Sequence, residues 1–464
     1  MESKRSKWSG QLAFVLAAAA SAVGLGNLWR FPYLAGKYGG GVFIAAYLGL
    51  SLTLGFVLLV TEIALGRRSR QSQLTLFDRL GYSRWRFLGV LATIVPLIIL
   101  PYYNVIGGWV FKYLAEYSRF AFCGGGFSDP KAFFDTFVSA PWEPFVYMAA
   151  FTLAAVAVVL LGVKNGIERS NLVMMPVLFL IAFGIAIYIA FLPGAAAGIK
   201  HYLVPDFSGC DNFGKVILGA MGQMFYSLSL AMGIMITYGS YMRRENSITS
   251  ASVRIVAADT IVAVLSGFII IPVVVMFSAS SGDGRVSIDA GPGLMFETLP
   301  RIFSSLGSAG PWIGLVFFVL VAFAALTSAI SMMETCVASV CDFLRIKRPA
   351  STLLVALWSI LFGSVSAFGY GRWAGFRPFG MPALDFFDFS ANSVLMPIVA
   401  ALTCVFVGWV LRPGVIVEEC EAGGNLMKGK MFYSAMVKYL APALVIAIFV
   451  SEICRVLGIG GWSI

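Results

Sequence analysis

Asn27, Arg30, Ser227, Ser229, Asp259, Thr327 and Ser328 are polar residues set inside otherwise apolar runs. Amide, hydroxyl and carboxylate oxygens are the ligands that hard cations prefer. The set contains no nucleophile paired with a base, and no phosphate loop, hydrolase elbow or zinc motif stands where it could act. The chemistry these residues suit is therefore binding rather than bond-making. Two of them, Asn27 and Arg30, follow Gly24 and Gly26 in the stretch Ala20-Ser21-Ala22-Val23-Gly24-Leu25-Gly26-Asn27-Leu28-Trp29-Arg30-Phe31-Pro32. Glycine weakens a helix because its unfolded backbone has more freedom to lose. A helix broken at membrane depth is tolerated only where the freed backbone faces a protein-enclosed cavity. This stretch reads as the wall of a binding site.

The elements that must position these residues are hydrophobic helices. The chain has 464 residues, 59% hydrophobic and 12% charged, about half the charged share of a soluble domain. Apolar segments run at about 11–36, 42–66, 87–118, 144–162, 170–192, 214–241, 252–280, 310–341, 352–368, 383–411 and 433–458. Each is near the ~20 residues that span a bilayer. The first is too long for the core of a cleavable signal peptide and is expected to stay. The third and eighth are long enough to suggest tilt or helical extension. The net charge of +10 reflects basic residues concentrated in alternate short loops, which predicts a cytoplasmic N-terminus. It does not imply nucleic acid. An odd helix count then puts the C-terminus outside, and loops near 119–143, 193–213 and 281–309 on the outer face, capped by short surface helices.

A second interruption lies in the sixth segment, Gly222-Gln223-Met224-Phe225-Tyr226-Ser227-Leu228-Ser229-Leu230-Ala231-Met232-Gly233. Segments one and six are five apart. Interrupted helices in corresponding positions of two halves point to an inverted-repeat transporter with its site at the repeat interface. The competing reading is a pair of glycine-lined packing seams; the matched breaks with Asn27, Ser227 and Ser229 favour the site. The expected fold is an all-α polytopic membrane protein of eleven transmembrane helices. It comprises a 5+5 inverted repeat with broken helices 1 and 6 and one extra C-terminal helix. Residues 1–464 form a single domain, with repeat one at about 11–192, repeat two at about 214–411 and the extra helix at about 433–458. The seven cysteines have no metal spacing. Cys123 and Cys210 both fall in loops placed outside, which is compatible with a disulfide. His201 reads as an exposed histidine without a role.

The stretch from Ala22 to Pro32 strongly resembles the neurotransmitter:sodium symporter family, in its bacterial amino-acid branch. Further motifs follow in the same order: Lys37 to Gly41, Glu62 to Arg67, Tyr102-Tyr103, Lys164-Asn165-Gly166-Ile167-Glu168, Gln223 to Ser229, Leu326-Thr327-Ser328 and Asp385 to Asp388. The resemblance covers nearly the whole chain, which departs from the animal members by ending after eleven helices.

The resemblance implies two sodium sites. The first would use the Ala22 carbonyl, Asn27, Ser227 and Asp259, with the substrate carboxylate as a further ligand. The second would use the carbonyls of Ala20, Val23 and Ala324 and the hydroxyls of Thr327 and Ser328. Read alone, Thr327 and Ser328 would be bonded back to their own helix. Asp259 is costly within a membrane and should face a cavity or cation. Chloride-dependent relatives carry Asn at the matching position and Ser one turn later. This chain has Asp259 and Ala263, which implies chloride-independent transport.

Gly24 and Gly26 leave room for a carboxylate at free amides, and Tyr103 could donate its hydroxyl to it. Monoamine carriers of the family have Asp where Gly24 stands, so glycine argues for an amino acid. By resemblance Ser21, Ile99, Tyr226, Met232, Ser328 and Met332 surround the side chain. They lack charge, and flexible methionines adapt to shape, so a neutral, hydrophobic or aromatic amino acid is expected, its amine near Ser227 and Ser229. The resemblance further implies an outer gate of Arg30 and Asp388 with a lid of Tyr103 and Tyr226. It implies an inner gate of Arg5, Trp8, Tyr241 and Asp342, and a helix 5 unwinding between Gly166 and Pro176. Glu62 is expected to bond the broken backbone of segment six; Glu334 has no assigned role.

The implied function is sodium-coupled import by alternating access across a bacterial inner membrane. Two sodium sites, no organic cofactor, a lipid bilayer, an amino-acid substrate and no obligatory protein partner are expected. A sodium-dependent sensor without transport and a proton-coupled carrier of the same fold are the alternatives. The second would need a titrating group at the second site, where only Thr327 and Ser328 stand.

Overall fold

Helices close their own backbone hydrogen bonds, which is why lipid favours them. In the computed structural model, which describes residues 6–207, 213–280 and 291–456, helix accordingly dominates. The sole pairing of extended backbone among the described residues is an isolated bridge between Gly40 and Pro205. Nine helical stretches there are long and apolar enough to cross a membrane. A tenth is the bent pair of α1 (Gln11–Ala22) and Gly26–Lys37, whose axes differ by 55°. Its second half is a π turn, Gly26–Arg30, running into α2 (Phe31–Lys37).

The predicted segment 214–241 is two short helices, so it does not count as one span by length. They are α8 (Phe213–Ser227) and α9 (Ile234–Ser240). Between them the backbone turns left-handed at Ser229 (φ 53°), Ala231 (φ 61°) and Gly233 (φ 70°). L-residues resist that region, so the break is held by its surroundings.

Around the two broken helices stand the continuous ones. α3 (Gly41–Leu50) leads through a π turn into α4 (Phe56–Ser69). α5 (Arg86–Cys123), α6 (Glu143–Leu160), α7 (Arg169–Ala190) and α10 (Ile248–Ser280) follow. After α11 (Leu299–Ser305), the chain enters α12 (Gly310–Leu344) and α13 (Arg348–Phe368). α14 (Ala383–Asp388) and α15 (Met396–Val405) form one span, α16 (Pro413–Glu421) lies in the loop after it, and α17 (Ala441–Val456) is the last helix among the described residues. The short loop helices expected on one face exist at Pro130–Ser139, Ala195–Leu203 and α11.

α5 and α12 are the long third and eighth segments. At 1.5 Å per residue, helices of 38 and 35 residues reach well past a ~30 Å hydrocarbon core. They pack against each other along much of their length. Aromatic rings cement that seam at one end, with Tyr113 and Tyr117 stacked on Phe318 at 5.2 and 5.3 Å. Their middles carry Ile99, Tyr103, Thr327, Ser328 and Met332 toward the broken helices.

Candidate functional site

The two breaks satisfy each other. Gln223 on α8 donates its side-chain amide to the Gly26 carbonyl at 3.1 Å, and the Ser229 hydroxyl donates to the Ser21 carbonyl at 2.9 Å. Ser328 on α12 donates to the Ser21 and Val23 carbonyls at 3.2 and 3.4 Å. Glu62 on α4 accepts from the Ala231 amide at 2.6 Å, the bond expected of it. Backbone groups that a helix would have paired are thus met by side chains from three other elements, as buried polar groups require.

Between the breaks lies a cavity of about 370 Å³. Its wall contains all twelve predicted substrate residues: Ser21, Ala22, Gly24, Gly26, Ile99, Tyr103, Tyr226, Ser227, Ser229, Met232, Ser328 and Met332. Leu25, Asn27 and Ile234 complete it. Leu25 and Ile234 were not foreseen, because an aliphatic residue in an apolar run carries no signal of which way it faces. Gly24 and Gly26 are necessary to the cavity's shape. A Cβ on Gly24 would stand 2.8 Å from the Ser328 hydroxyl, and one on Gly26 would overlap the Tyr226 ring. The Tyr103 hydroxyl is buried beside Ser328 and the Leu25 backbone and closes no hydrogen bond of good geometry among the described residues.

At one edge of the cavity three residues converge on Asp259, which is wholly buried on α10. One carboxylate oxygen accepts from the Asn27 amide at 2.8 Å and the Ser227 hydroxyl at 2.7 Å; the other accepts from Tyr47 at 2.6 Å. Asn27 also holds Ser227 at 3.0 Å and receives the Gly24 amide at 3.1 Å. The three predicted side chains are therefore in direct contact. Tyr47 was missed: a tyrosine in an apolar helix reads as an interface residue, and only the tertiary fold, which packs α3 on α8, brings its hydroxyl to the carboxylate. Donors here occupy the acceptor set that a cation would share, and an oxygen-rich cluster at an unwound backbone fits a small hard cation.

On the other flank, Thr327 donates to its own helix at Phe323 and Ala324, 2.9 and 3.1 Å away. That is the back-bonded geometry, and it spends only the hydroxyl proton; the oxygen keeps lone pairs. Ser328 touches the Val23 carbonyl, so Val23, Ala324, Thr327 and Ser328 form one patch; Ala20 is buried on α1, three residues before Val23.

The candidate gates lie at opposite ends. Arg30 sits over the Tyr226 ring at 5.7 Å, while Asp388 accepts from Tyr102 at 2.9 Å and Asn392 at 2.7 Å. The structure thus docks each half of the expected Arg30–Asp388 closure on a tyrosine. Tyr102 and Asn392 had no separable signal beside Tyr103 and Asp388. At the other end Trp8 is fully buried, donating its backbone amide to Tyr241 at 3.2 Å and its indole to Tyr238 at 3.1 Å. Asp342 accepts from the Ser72 amide at 2.7 Å; Arg5 lies outside the described residues.

Glu334, unassigned from sequence, accepts from Tyr241 at 2.8 Å and from Arg348 at 3.0 Å. A second guanidinium bond to its other oxygen completes a fork–fork pair between buried Glu334 and half-buried Arg348. Gly166 lies in a π turn, Val163–Glu168, with Pro176 inside α7, so the segment between them is helical here. Glu168 in that turn holds the backbone amide and hydroxyl of Ser9, just before α1. Cys123 is free and exposed; Cys210 lies outside the described residues.

Comparison with known proteins agrees with this architecture. Residues 5–123 and 138–460 match the Sodium:neurotransmitter symporter family. A sodium-dependent transporter of Bacillus subtilis strain 168, YhdH, is 33% identical over 97% of this chain and 98% of its own. The sodium- and chloride-dependent taurine transporter of Homo sapiens is 25% identical over 97% of this chain and 78% of its own. The crystal structure of MhsT in complex with L-phenylalanine superposes with a TM-score of 0.85 at 33% identity, covering 97% of this chain and 100% of that one. Two broken helices that satisfy each other around an oxygen-lined cavity, in an all-helical membrane protein with these relatives, place the chain in the sodium:neurotransmitter symporter family of sodium-dependent transporters.

Proposed function

We propose that this chain is a sodium-coupled symporter that imports a neutral amino acid with a hydrophobic or aromatic side chain, independently of chloride. The observation that carries the reading is the fusion of one cavity with one ion cluster: Gly24, Asn27 and Ser227 belong to both. A substrate carboxylate placed at the Gly24–Gly26 backbone, under the Tyr103 hydroxyl, lies next to Asn27 and Asp259. There it can share a sodium ion with Ala22, Asn27, Ser227 and Asp259. The amine meets the freed carbonyls and Ser229. Ser21, Ile99, Tyr226, Met232, Ser328 and Met332 surround the side chain without a charge to pair. A second sodium ion sits among Ala20, Val23, Ala324, Thr327 and Ser328 and ties α1 to α12.

Asp259 supplies, within the protein, a negative charge beside the first sodium ion. The absence of a hydroxyl at Ala263 fits a carrier that needs no chloride. Alternating access moves the repeat halves, about 11–192 and 214–411, around the fixed site, with the helix at about 433–458 outside both. Arg30, Asp388, Tyr103 and Tyr226 close the outer side. Arg5, Trp8, Tyr241 and Asp342 close the inner side, from which Gly166 and Pro176 let the start of α7 loosen. The N-terminus is cytoplasmic, the C-terminus extracytoplasmic, and the membrane is a bacterial inner membrane.

The test is uptake of a radiolabelled amino-acid panel into proteoliposomes under an inward sodium gradient, against equal potassium. Accumulation of a neutral apolar or aromatic amino acid, equal in chloride and gluconate, is the expected result. Sodium-dependent binding without accumulation replaces the symporter with a sensor; accumulation driven by a pH gradient alone replaces it with a proton-coupled carrier.

A further inference from the structure

A second cavity, of about 630 Å³, lies at the end of α5 remote from Trp8. Its volume falls in the range of small-molecule sites. It is walled by Tyr117 and Phe120 of α5, the loop Gly125–Ser128, Phe303 and Ser304 of α11, and the turn into α12 at Gly307, Gly310 and Pro311. The wall is built. Phe127 meets the rings of Tyr117 and Phe120 at 5.5 and 4.9 Å, and Tyr117 meets Phe303 at 6.1 Å. Ser304 closes the loop onto α11 by donating to the Phe127 carbonyl at 3.3 Å.

Within this aromatic wall the Tyr117 side chain is 2% exposed, and its hydroxyl has no hydrogen-bond partner among the described residues. A buried donor left unmade is costly, and tyrosine hydroxyls in such places usually find a partner. The wall holds no charged residue. Gly126 leaves open space: a Cβ there would meet nothing within 4 Å. We infer that this cavity is a second small-molecule site, for a neutral aromatic compound bearing a hydrogen-bond acceptor that the Tyr117 hydroxyl would meet. It is separate from the central cavity: Tyr117 lies fourteen residues beyond Tyr103 on the same helix, about 21 Å along its axis.

The probe is 4-fluoroacetophenone, a flat neutral ring with one carbonyl. Its binding to the full chain in nanodiscs is followed by fluorine NMR, with empty nanodiscs subtracted for partition into lipid. A saturable component is expected. It should be unchanged by saturating sodium and phenylalanine, weakened about fivefold in Tyr117→Phe, as for one lost hydrogen bond, and abolished in Gly126→Leu. Ser128→Trp fills the same space from an exposed position and serves if Gly126→Leu fails to fold. The inference is overturned by partition alone, by displacement with phenylalanine, or by equal binding in a folded filling variant.

Discussion

A wholly buried carboxylate with three hydrogen-bond donors, and no cationic side chain in contact among the described residues, is a site suited to a cation. At Asp259 the donors are Asn27, Ser227 and Tyr47. Replacing Asp259 by Asn keeps the shape and removes the charge. We expect sodium activation to weaken by at least about tenfold, an energy of about 1.4 kcal/mol, or to become responsive to chloride. Unchanged sodium dependence in NaCl and sodium gluconate would sink the charge-supply argument. Gly24 offers a second test. Alanine there puts a Cβ 2.8 Å from the Ser328 hydroxyl, and such overpacking costs about 1–3 kcal/mol. Sodium-dependent binding of the transported amino acid should fall about tenfold or more while the protein stays monodisperse. Wild-type affinity in Gly24→Ala would mean that the substrate does not approach this backbone.

Among the elements, the end of α4 is held by an ion pair that the sequence did not suggest. Arg67 is fully buried and contacts the Glu419 carboxylate at 2.7 Å, the Asn246 carbonyl at 2.7 Å and the Glu419 carbonyl. It joins α4 to α16 and to the loop between α9 and α10. Removing one partner strands a buried charge, which costs about 3–5 kcal/mol. Glu419→Ala should therefore lower the thermal midpoint in detergent markedly, and replacing both residues by methionine should recover most of it. An unaltered midpoint in the single variant would show that the clamp is not structural. Burial pushes the neighbouring Cys420 thiol up to about 12, so maleimide at pH 7 should label exposed Cys123 and spare Cys420. Faster labelling of Cys420 in Glu419→Ala would report opening of α16; equal protection in the variant would argue that burial of Cys420 does not depend on the pair.

For the whole molecule, ligands that bridge the broken helices must stabilise the fold that binds them. A site filled at a hundred times its Kd adds about 2.7 kcal/mol. Exchanging sodium for potassium should thus lower the thermal midpoint, and substrate should raise it only when sodium is present. Linkage makes this reciprocal: substrate tightens sodium by the factor by which sodium tightens substrate. A substrate shift of equal size in potassium would remove the coupling.

Much of the central site was legible in the sequence because it violates a local rule. Gly24, Gly26, Asn27, Ser229 and Asp259 stand where lipid-facing helix would exclude them, and each violation requires a cavity, an ion or a partner. The apolar runs determined the helices for the converse reason, since no other structure satisfies their backbone in a membrane. The family resemblance then ordered the pocket residues, and the cavity gathers all twelve. Tyr47 on Asp259, Arg67 on Glu419, Arg348 on Glu334 and the aromatic box around Tyr117 were decided only by tertiary structure. Each joins residues of different elements whose types are ordinary at their own positions. Their meaning arises from which helix faces meet, and a charged residue near a helix end looks the same whether it will be solvated or buried against its partner.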